Sequence, residues 1–407
     1  MLTEGLLDQA RAKGERITAL RRAIHQEPEL GLETPQTLAK VRADLADLPL
    51  TWREGTSCTG AVALLKGGRP GPRVLLRGDM DALPMGEETG LPFASQIAGR
   101  MHACGHDAHT AMLAGAAHIL AERREDIAGE VLFMFQPGEE GFHGARHMLE
   151  EGLLGVSGGT GEGDRLPDAA FALHVWPNAR HGVLIGRAGA MLASADQLEI
   201  TITGKGGHAS MPQDAVDPVP VAAQIVLALQ TMMTRRFNAA EASVLTIARI
   251  TAGSTHNVIP DTVDLLGTIR TLSADRRTAI RSAITQVAEH VALAHDCTAA
   301  VRFVDGFPVT YNDPRAAALG EAVARELGGS QGWEERPHPT MGAEDFSYVL
   351  QQVPGAMFFL GVAAEGSDWQ GCCGLHSTKM IVDESVMPKG SALLAGFALR
   401  YLAQGWE

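Results

Sequence analysis

The chain has 407 residues, enough for two or three domains. It is 45% hydrophobic, and 34 basic against 48 acidic side chains leave a formal charge of −14. An acidic chain gains nothing from displacing counterions on a phosphate backbone, which excludes nucleic acid as a partner. No apolar run approaches the roughly 18 residues of a membrane span, and Met1 to Lys13 is too charged for a signal peptide, so neither membrane nor secretory leader is expected.

Five cysteines, at 58, 104, 297, 372 and 373, form no disulfide framework and point to a reducing, cytoplasmic compartment. Leu6 to Ile24 has the apolar spacing of an amphipathic helix, stopped by Pro28 and Gly31. Thr34-Pro35 opens a second helix, with Thr34 as N-cap. Gly60 to Leu65 and Arg73 to Leu76 read as two neighbouring strands. The second runs into Arg77-Gly-Asp-Met-Asp-Ala-Leu-Pro84, placing Asp79 and Asp81 at a strand's carboxyl end, where open α/β sheets bind ligands. Met101-His-Ala-Cys-Gly-His-Asp-Ala-His109 follows and leads into an apolar helix from Thr110 to Leu120. Cys104 and His106, on a tight turn around Gly105, can reach one metal ion or one each of a pair. Glu130 to Phe135 is a further strand, ending in Gln136-Pro-Gly-Glu-Glu-Gly141. Of two adjacent carboxylates there, one can bind metal while the other acts as a base. His143 and His147, at helical spacing, compete poorly with the ligands downstream. Gly155-Val-Ser-Gly-Gly159 matches a serine-hydrolase elbow formally but lacks the strand and helix that elbow needs. Asp168 to Leu173 is a strand leading to His174-Val-Trp-Pro177.

From Ala193 the pattern changes. Strands at Asp196 to Thr203, Ser243 to Thr251, Thr262 to Thr271 and Thr298 to Val304 alternate with helices at Pro218 to Phe237, capped by Asp217, and Asp275 to Ala294. This β-α-β-β-α-β order is that of a ferredoxin-like α+β domain. An inserted domain at 193–304 therefore interrupts a first domain made of 1–192 and 305–407. The first domain resumes with a helix at Arg315 to Leu327, a turn at Gly342, a strand at Ala356 to Leu360 and a helix from about Glu384.

The metal-capable groups after these strands are Asp79, Asp81, Cys104, His106, Glu139, Glu140, His174 and, near the end, His376. Four separate loops supply them. With one Cys, one Glu and three His as ligands, borderline metals such as zinc or manganese fit, and these five exceed the four of one tetrahedral ion, which suggests two.

With its motifs assembled, the sequence resembles the M20 metallopeptidases. It is most similar to the N-acyl-amino-acid amidohydrolases typified by hippurate hydrolase and plant auxin-conjugate hydrolases. The resemblance rests on His25-Gln-Glu-Pro-Glu-Leu30, Arg77 to Pro84, Met101 to Asp107, Gln136 to Gly141 and His174 to Pro177. Gly204-Lys-Gly-Gly-His-Ala209, Asn257-Val-Ile-Pro-Asp261, Gly342-Ala-Glu-Asp-Phe346 and Leu375-His376 extend it along almost the whole chain. It implies a zinc-peptidase-like α/β catalytic domain, with a mixed central sheet flanked by helices, and a lid or dimerisation domain inserted in it. It implies two divalent ions held by Cys104, His106, Glu140, His174 and His376, with Glu139 as general base and Asp81 orienting a histidine ligand. His208 would stabilise the oxyanion, generally in the partner subunit's site, while Asn257 and Arg270 would hold the substrate. Asp79 stands where other branches carry a histidine ligand, and Thr378 where proline is expected after Leu-His-Ser. Cys372 and Cys373 read as buried packing rather than ligands.

The function expected is hydrolysis of N-acyl-L-amino acids to a carboxylic acid and a free amino acid by a cytoplasmic homodimer or larger homo-oligomer. Zinc or manganese would serve, cobalt or nickel being alternatives. A carboxypeptidase or dipeptidase on the same scaffold is the runner-up. A non-catalytic metal-binding protein is the remoter reading, since Glu139 accompanies every expected ligand.

Overall fold

The computed structural model describes residues 5–155, 165–368, 370–371 and 373–406. The chain divides into two compact units. The first comprises Met1–Met191, Tyr311–His338 and Asp345–Glu407, and the second Leu192–Thr310 and Pro339–Glu344. The second unit thus includes Pro339–Glu344 and residues 305–310, which the sequence pattern assigned to the first.

The first unit is built on an eight-stranded mixed sheet. Its order is Leu50–Glu54, Ala61–Lys66, Ala128–Gln136, Arg69–Asp79, Ala169–Trp176, Gly355–Gly361, Leu184–Gly186 and Trp333–Glu335. The four strands from Ala128–Gln136 to Gly355–Gly361 run parallel. The expected neighbours Ala61–Lys66 and Arg69–Asp79 are not paired, because Ala128–Gln136 lies between them, antiparallel to one and parallel to the other. Central strands such as Gly355–Gly361 are buried along their whole length. Parallel strands buried in this way need cover on both faces, so their sequences are continuous apolar runs rather than alternating ones. The helix His106–Glu122 is likewise buried all round from His106 to Leu120. It packs against Met387–Gln404, Gly14–Gln26 and the strand Arg69–Asp79. The amphipathic stretch from Leu6 forms two helices, Leu6–Ala12 and Gly14–Gln26, broken at Lys13. Thr34 precedes the helix Pro35–Asp44 as expected, but its hydroxyl pairs with that of Thr59 (3.0 Å) instead of capping. No helix among the described residues is long and apolar enough to cross a membrane.

The second unit has a four-stranded antiparallel sheet in the order Ser243–Ala252, Thr262–Thr271, Ser194–Thr203, Thr298–Asp305. The helices Pro218–Arg236 and Ala274–Leu293 close a separate apolar core over it, with Ile200, Ile225, Ile269 and Ile284 inside. The side chain of Asp217 accepts the Val219 N–H at the start of the first of these helices, as its position predicts.

A buried charge cluster ties the helix Gly14–Gln26 to the start of His106–Glu122. Arg21 Nε donates to Asp107 Oδ2 (2.9 Å), and His25 Nδ1 lies 2.8 Å from the same oxygen. His25 Nε2 is 3.2 Å from Glu87 Oε1. Burial alone would favour neutral His25, but Asp107 and Glu87 outweigh it and raise its pKa from 6.5 to about 9. A histidine more basic folded than unfolded stabilises the fold fully below the unfolded pKa of 6.5, and this stabilisation fades as pH rises through 9. Urea unfolding of the metal-free His25→Gln variant should therefore show a deficit against the parent at pH 6 that shrinks by on the order of 2 kcal/mol by pH 10. A deficit independent of pH would show that His25 is neutral.

Candidate metal centre

The carboxyl ends of the parallel strands bring the expected groups together. Asp79 closes the strand Arg69–Asp79, Glu139 and Glu140 follow Ala128–Gln136, and His174 lies near the end of Ala169–Trp176. Cys104 and His106 come from the turn that opens the helix His106–Glu122. Gly105 sits there at φ 85°, and a Cβ on it would lie 2.4 Å from Val175 Cγ2. Only glycine fits this turn, on both conformational and steric grounds. His376 arrives on the loop after Gly355–Gly361, itself at φ 62°.

Three overlapping groups result. Ligand atoms of Cys104, His106 and His174 all lie within 4.8 Å of one another, as do those of Cys104, Glu140 and His376, and those of His106, Glu139 and Glu140. Two atoms bound to one ion at about 2.0–2.3 Å lie no more than roughly 4.6 Å apart, so groups of this spacing are consistent with a centre that would hold two ions. Cys104 Sγ is 3.3 Å from His174 Nε2, and Glu140 Oε1 is 3.3 Å from His376 Nε2. The His174 Nδ1–H donates to the Val175 carbonyl (2.7 Å), which leaves the Nε2 lone pair facing the centre. Both ring nitrogens of His106 are buried without a hydrogen bond. Buried polar atoms of this kind are costly unless something else satisfies them, and divalent cations fit the donor set.

The electrostatics agree. Burial disfavours charge on His106, yet Asp79, Cys104 and Asp81 raise its pKa well above 6.5. Hydrogen bonds to Cys104 and Glu140 raise that of His376 to about 10. The cluster thus draws positive charge to itself, as protons where no metal is bound. Burial pushes the Cys104 thiol up and keeps His174 neutral.

Asp81 holds two parts of the centre. Its Oδ1 accepts the backbone N–H of Glu139 and its Oδ2 that of Glu140, both at 3.0 Å, while His106 Nδ1 lies 3.4 Å from Oδ1. Asp79 is occupied elsewhere. Its Oδ1 accepts from His109 Nδ1 (2.6 Å) and its Oδ2 from Arg77 Nη1 (2.5 Å). His109 Nε2 in turn accepts the N–H of Val175 (2.8 Å), leaving this imidazole no lone pair for a metal. Asp345 joins from afar, accepting from Arg77 Nη2 (3.2 Å), Gln136 Nε2 (2.6 Å) and the Ala145 N–H (2.9 Å). The motif residues Arg77, His109, Gln136 and Asp345 had no assigned task in the sequence. Their role depends on contacts between distant segments, and only their polarity within apolar surroundings hinted at it.

Other candidates lie apart from this cluster. His143 sits at φ 59° with Nδ1 3.0 Å from the Tyr348 hydroxyl, and neither it nor His147 belongs to any metal-competent group among the described residues. Cys373 is half-exposed rather than buried. Cys372 and most of the segment Gly155 to Gly159 fall outside the described residues. In the second unit, His208 and Asn257 meet on a short ribbon, where His208 pairs with Val258 and the Ala209 N–H bonds the Asn257 carbonyl (3.1 Å). The Ser210 N–H donates to His208 Nδ1 (3.1 Å), which places the proton of the neutral ring on Nε2. Arg270 is half-buried in the four-stranded sheet of the same unit, where burial lowers its pKa against the pull of Asp196.

Known proteins share this sequence and architecture. The family model of peptidases M20/M25/M40 matches residues 75–400. An IAA-amino acid hydrolase of Arabidopsis thaliana is 38% identical over 389 residues, covering 95% of this chain and 85% of that protein. Thermostable carboxypeptidase 1 of Saccharolobus solfataricus is 35% identical over 406 residues, covering 98% and 99%. A dinuclear metal-binding M20 peptidase of Bacillus subtilis superimposes with a TM-score of 0.83 at 32% identity, covering 97% of this chain and 99% of that one. Its dinuclear donor geometry, mixed sheet and separate small α+β unit agree with the sequence match over most of its length, and the chain belongs to peptidase family M20/M25/M40 as a metal-dependent amidohydrolase or peptidase.

Proposed function

We propose that this protein hydrolyses N-acyl-L-amino acids, with Cys104, His106, Glu140, His174 and His376 holding two divalent ions. The observation that carries the reading is the pairing of Glu139 with Glu140. One turn presents two carboxylates to His106, and their backbone amides are fixed by the two oxygens of Asp81. Zinc or manganese suits the mixed thiolate, imidazole and carboxylate donors, with cobalt and nickel as alternatives. When bound, the ions polarise the amide carbonyl and lower the pKa of water.

Glu139 then acts as the base. It accepts a proton from water as the water oxygen bonds to the carbonyl carbon, and returns that proton to the amide nitrogen as the C–N bond breaks. The products are a carboxylic acid and an amino acid. His208, with Ser210 holding its Nδ1, offers Nε2–H to the oxygen on which charge grows. Asn257 and the guanidinium of Arg270 serve the substrate's carboxylate. The second unit is also the proposed homodimer contact. Its strand Ser243–Ala252 forms one edge of the sheet, and Leu227 and Leu293 are exposed on its helices. A cytoplasmic setting suits the free thiols of Cys58, Cys104 and Cys297.

The similarity to a carboxypeptidase favours a second reading, in which the same chemistry acts on peptides with a free carboxyl terminus. Turnover of acetyl-, benzoyl- and long-chain acyl-amino acids, measured beside unblocked dipeptides, separates the two. The acyl-amino acids should be the better substrates by kcat/KM, and preference for dipeptides would overturn the proposal. Chelation should abolish turnover, and zinc or manganese should restore it; activity that survives full metal removal would exclude the mechanism. Glu139→Gln should keep both ions yet lose about 10²–10⁴-fold in kcat. Turnover equal to the parent would rule out Glu139 as base.

A further inference from the structure

Among the groups brought to the centre, His376 has the least local support. It lies on no helix or strand, its side chain is 53% exposed, and its backbone is in the left-handed region at φ 62°. A residue other than glycine holds that conformation only where its surroundings dictate it. One tether is visible close by, where the His376 N–H donates to the Ala103 carbonyl (2.9 Å), next to Cys104.

A second tether comes from a different loop. The Glu88 N–H donates to the Thr378 carbonyl (2.7 Å), and the Thr378 hydroxyl donates to Glu88 Oε2 (3.1 Å). The two residues thus exchange hydrogen bonds across 290 positions of sequence. Glu88 is exposed, but the loop that carries it is anchored at the preceding residue, where Glu87 accepts from the Ser95 N–H (2.7 Å) and meets His25. Thr378 stands where the family resemblance implies proline. A proline ring would stiffen the backbone after His376 covalently; here a hydroxyl and a carbonyl tie it to a neighbouring loop instead.

We propose that Glu88 and Thr378 form a latch that positions His376 over the Cys104–Glu140 half of the metal centre, so that they govern the affinity of one ion and not of the other. Neither residue belongs to a metal-competent group among the described residues, and they act through His376. The proposal rests on the reading of His376 as a ligand.

The test is a calorimetric titration of metal-free protein with zinc, with the bound ions counted after gel filtration. The parent should bind two ions and His376→Ala one. Thr378→Val, which removes the hydroxyl at constant shape, should bind the first ion as the parent does and the second about five- to tenfold more weakly, the effect of one lost hydrogen bond. Thr378→Ser should restore parental binding. Glu88→Ala should match Thr378→Val, and the double variant should be no weaker than either. Two ions in His376→Ala would overturn the ligand assignment and the latch with it. If His376→Ala binds one ion while Thr378→Val binds two with parental affinity, or weakens both ions equally, the latch alone is overturned.

Discussion

Buried negative charge at one edge of the central sheet is the constraint on which this fold depends. Asp79, Asp81, Asp107 and Glu139 are all withdrawn from water, with Glu140 and the Cys104 thiol beside them. Charges in such a place must be paired and hydrogen-bonded, or they take up protons. The structure answers for each in turn. Asp107 is met by Arg21 and His25, and Asp79 by Arg77 and His109, while the oxygens of Asp81 accept the amides of Glu139 and Glu140. What faces inward is the thiol, Glu140 and the imidazoles around them, with both ring nitrogens of His106 buried and without a hydrogen bond. A site short of positive charge, with soft and hard donors at metal spacing, is completed by cations.

The parallel strands explain why these charges can converge at all. Strands that run in one direction deliver all their carboxyl ends to a single edge, and the chain must cross over before each return. Loops far apart in sequence therefore meet, and short-range motifs become parts of one centre. His109 shows the economy of this arrangement. It stands one turn inside the helix whose first residue is His106. From there one nitrogen holds Asp79 on one strand and the other holds the backbone of Val175 on the next. The ring thus sets the spacing between the strand end at Asp79 and the proposed ligand His174, with both of its nitrogens already engaged.

The parts of this centre legible in the sequence were those with local spacing. Cys104 and His106 stand two apart around Gly105 and lead into an apolar run, while Glu139 and Glu140 are adjacent and follow one that ends in Pro137-Gly138. The alternation of the second unit's strands was legible for the same reason, because one face of that sheet is covered and the other is not. Legibility failed where the determining contact is long-range. Nothing near His25 announces that its partner is Asp107, 82 residues on, and nothing near Asp345 announces Arg77. The neighbour of Ala61–Lys66 was misread because a strand buried on both faces has no alternation to reveal its partner. Leu184–Gly186 and Trp333–Glu335, three residues each, are too short to show any period.

Asp81 is where positioning and chemistry join. A carboxylate 3.4 Å from a histidine nitrogen would by itself do no more than orient that ring. The same carboxylate, by accepting both amides of the Glu139–Glu140 turn, also fixes the backbone from which the two glutamates project. The proposed ligand His106 and the proposed base Glu139 are thereby set from one point, so a shift of Asp81 moves the two together rather than apart. In the proposed reaction the distance between the attacking water and the Glu139 oxygen that takes its proton governs the rate, and misplacement by about 1 Å can cost a hundredfold. Coupling both groups to one buried side chain makes that distance depend on a single anchor.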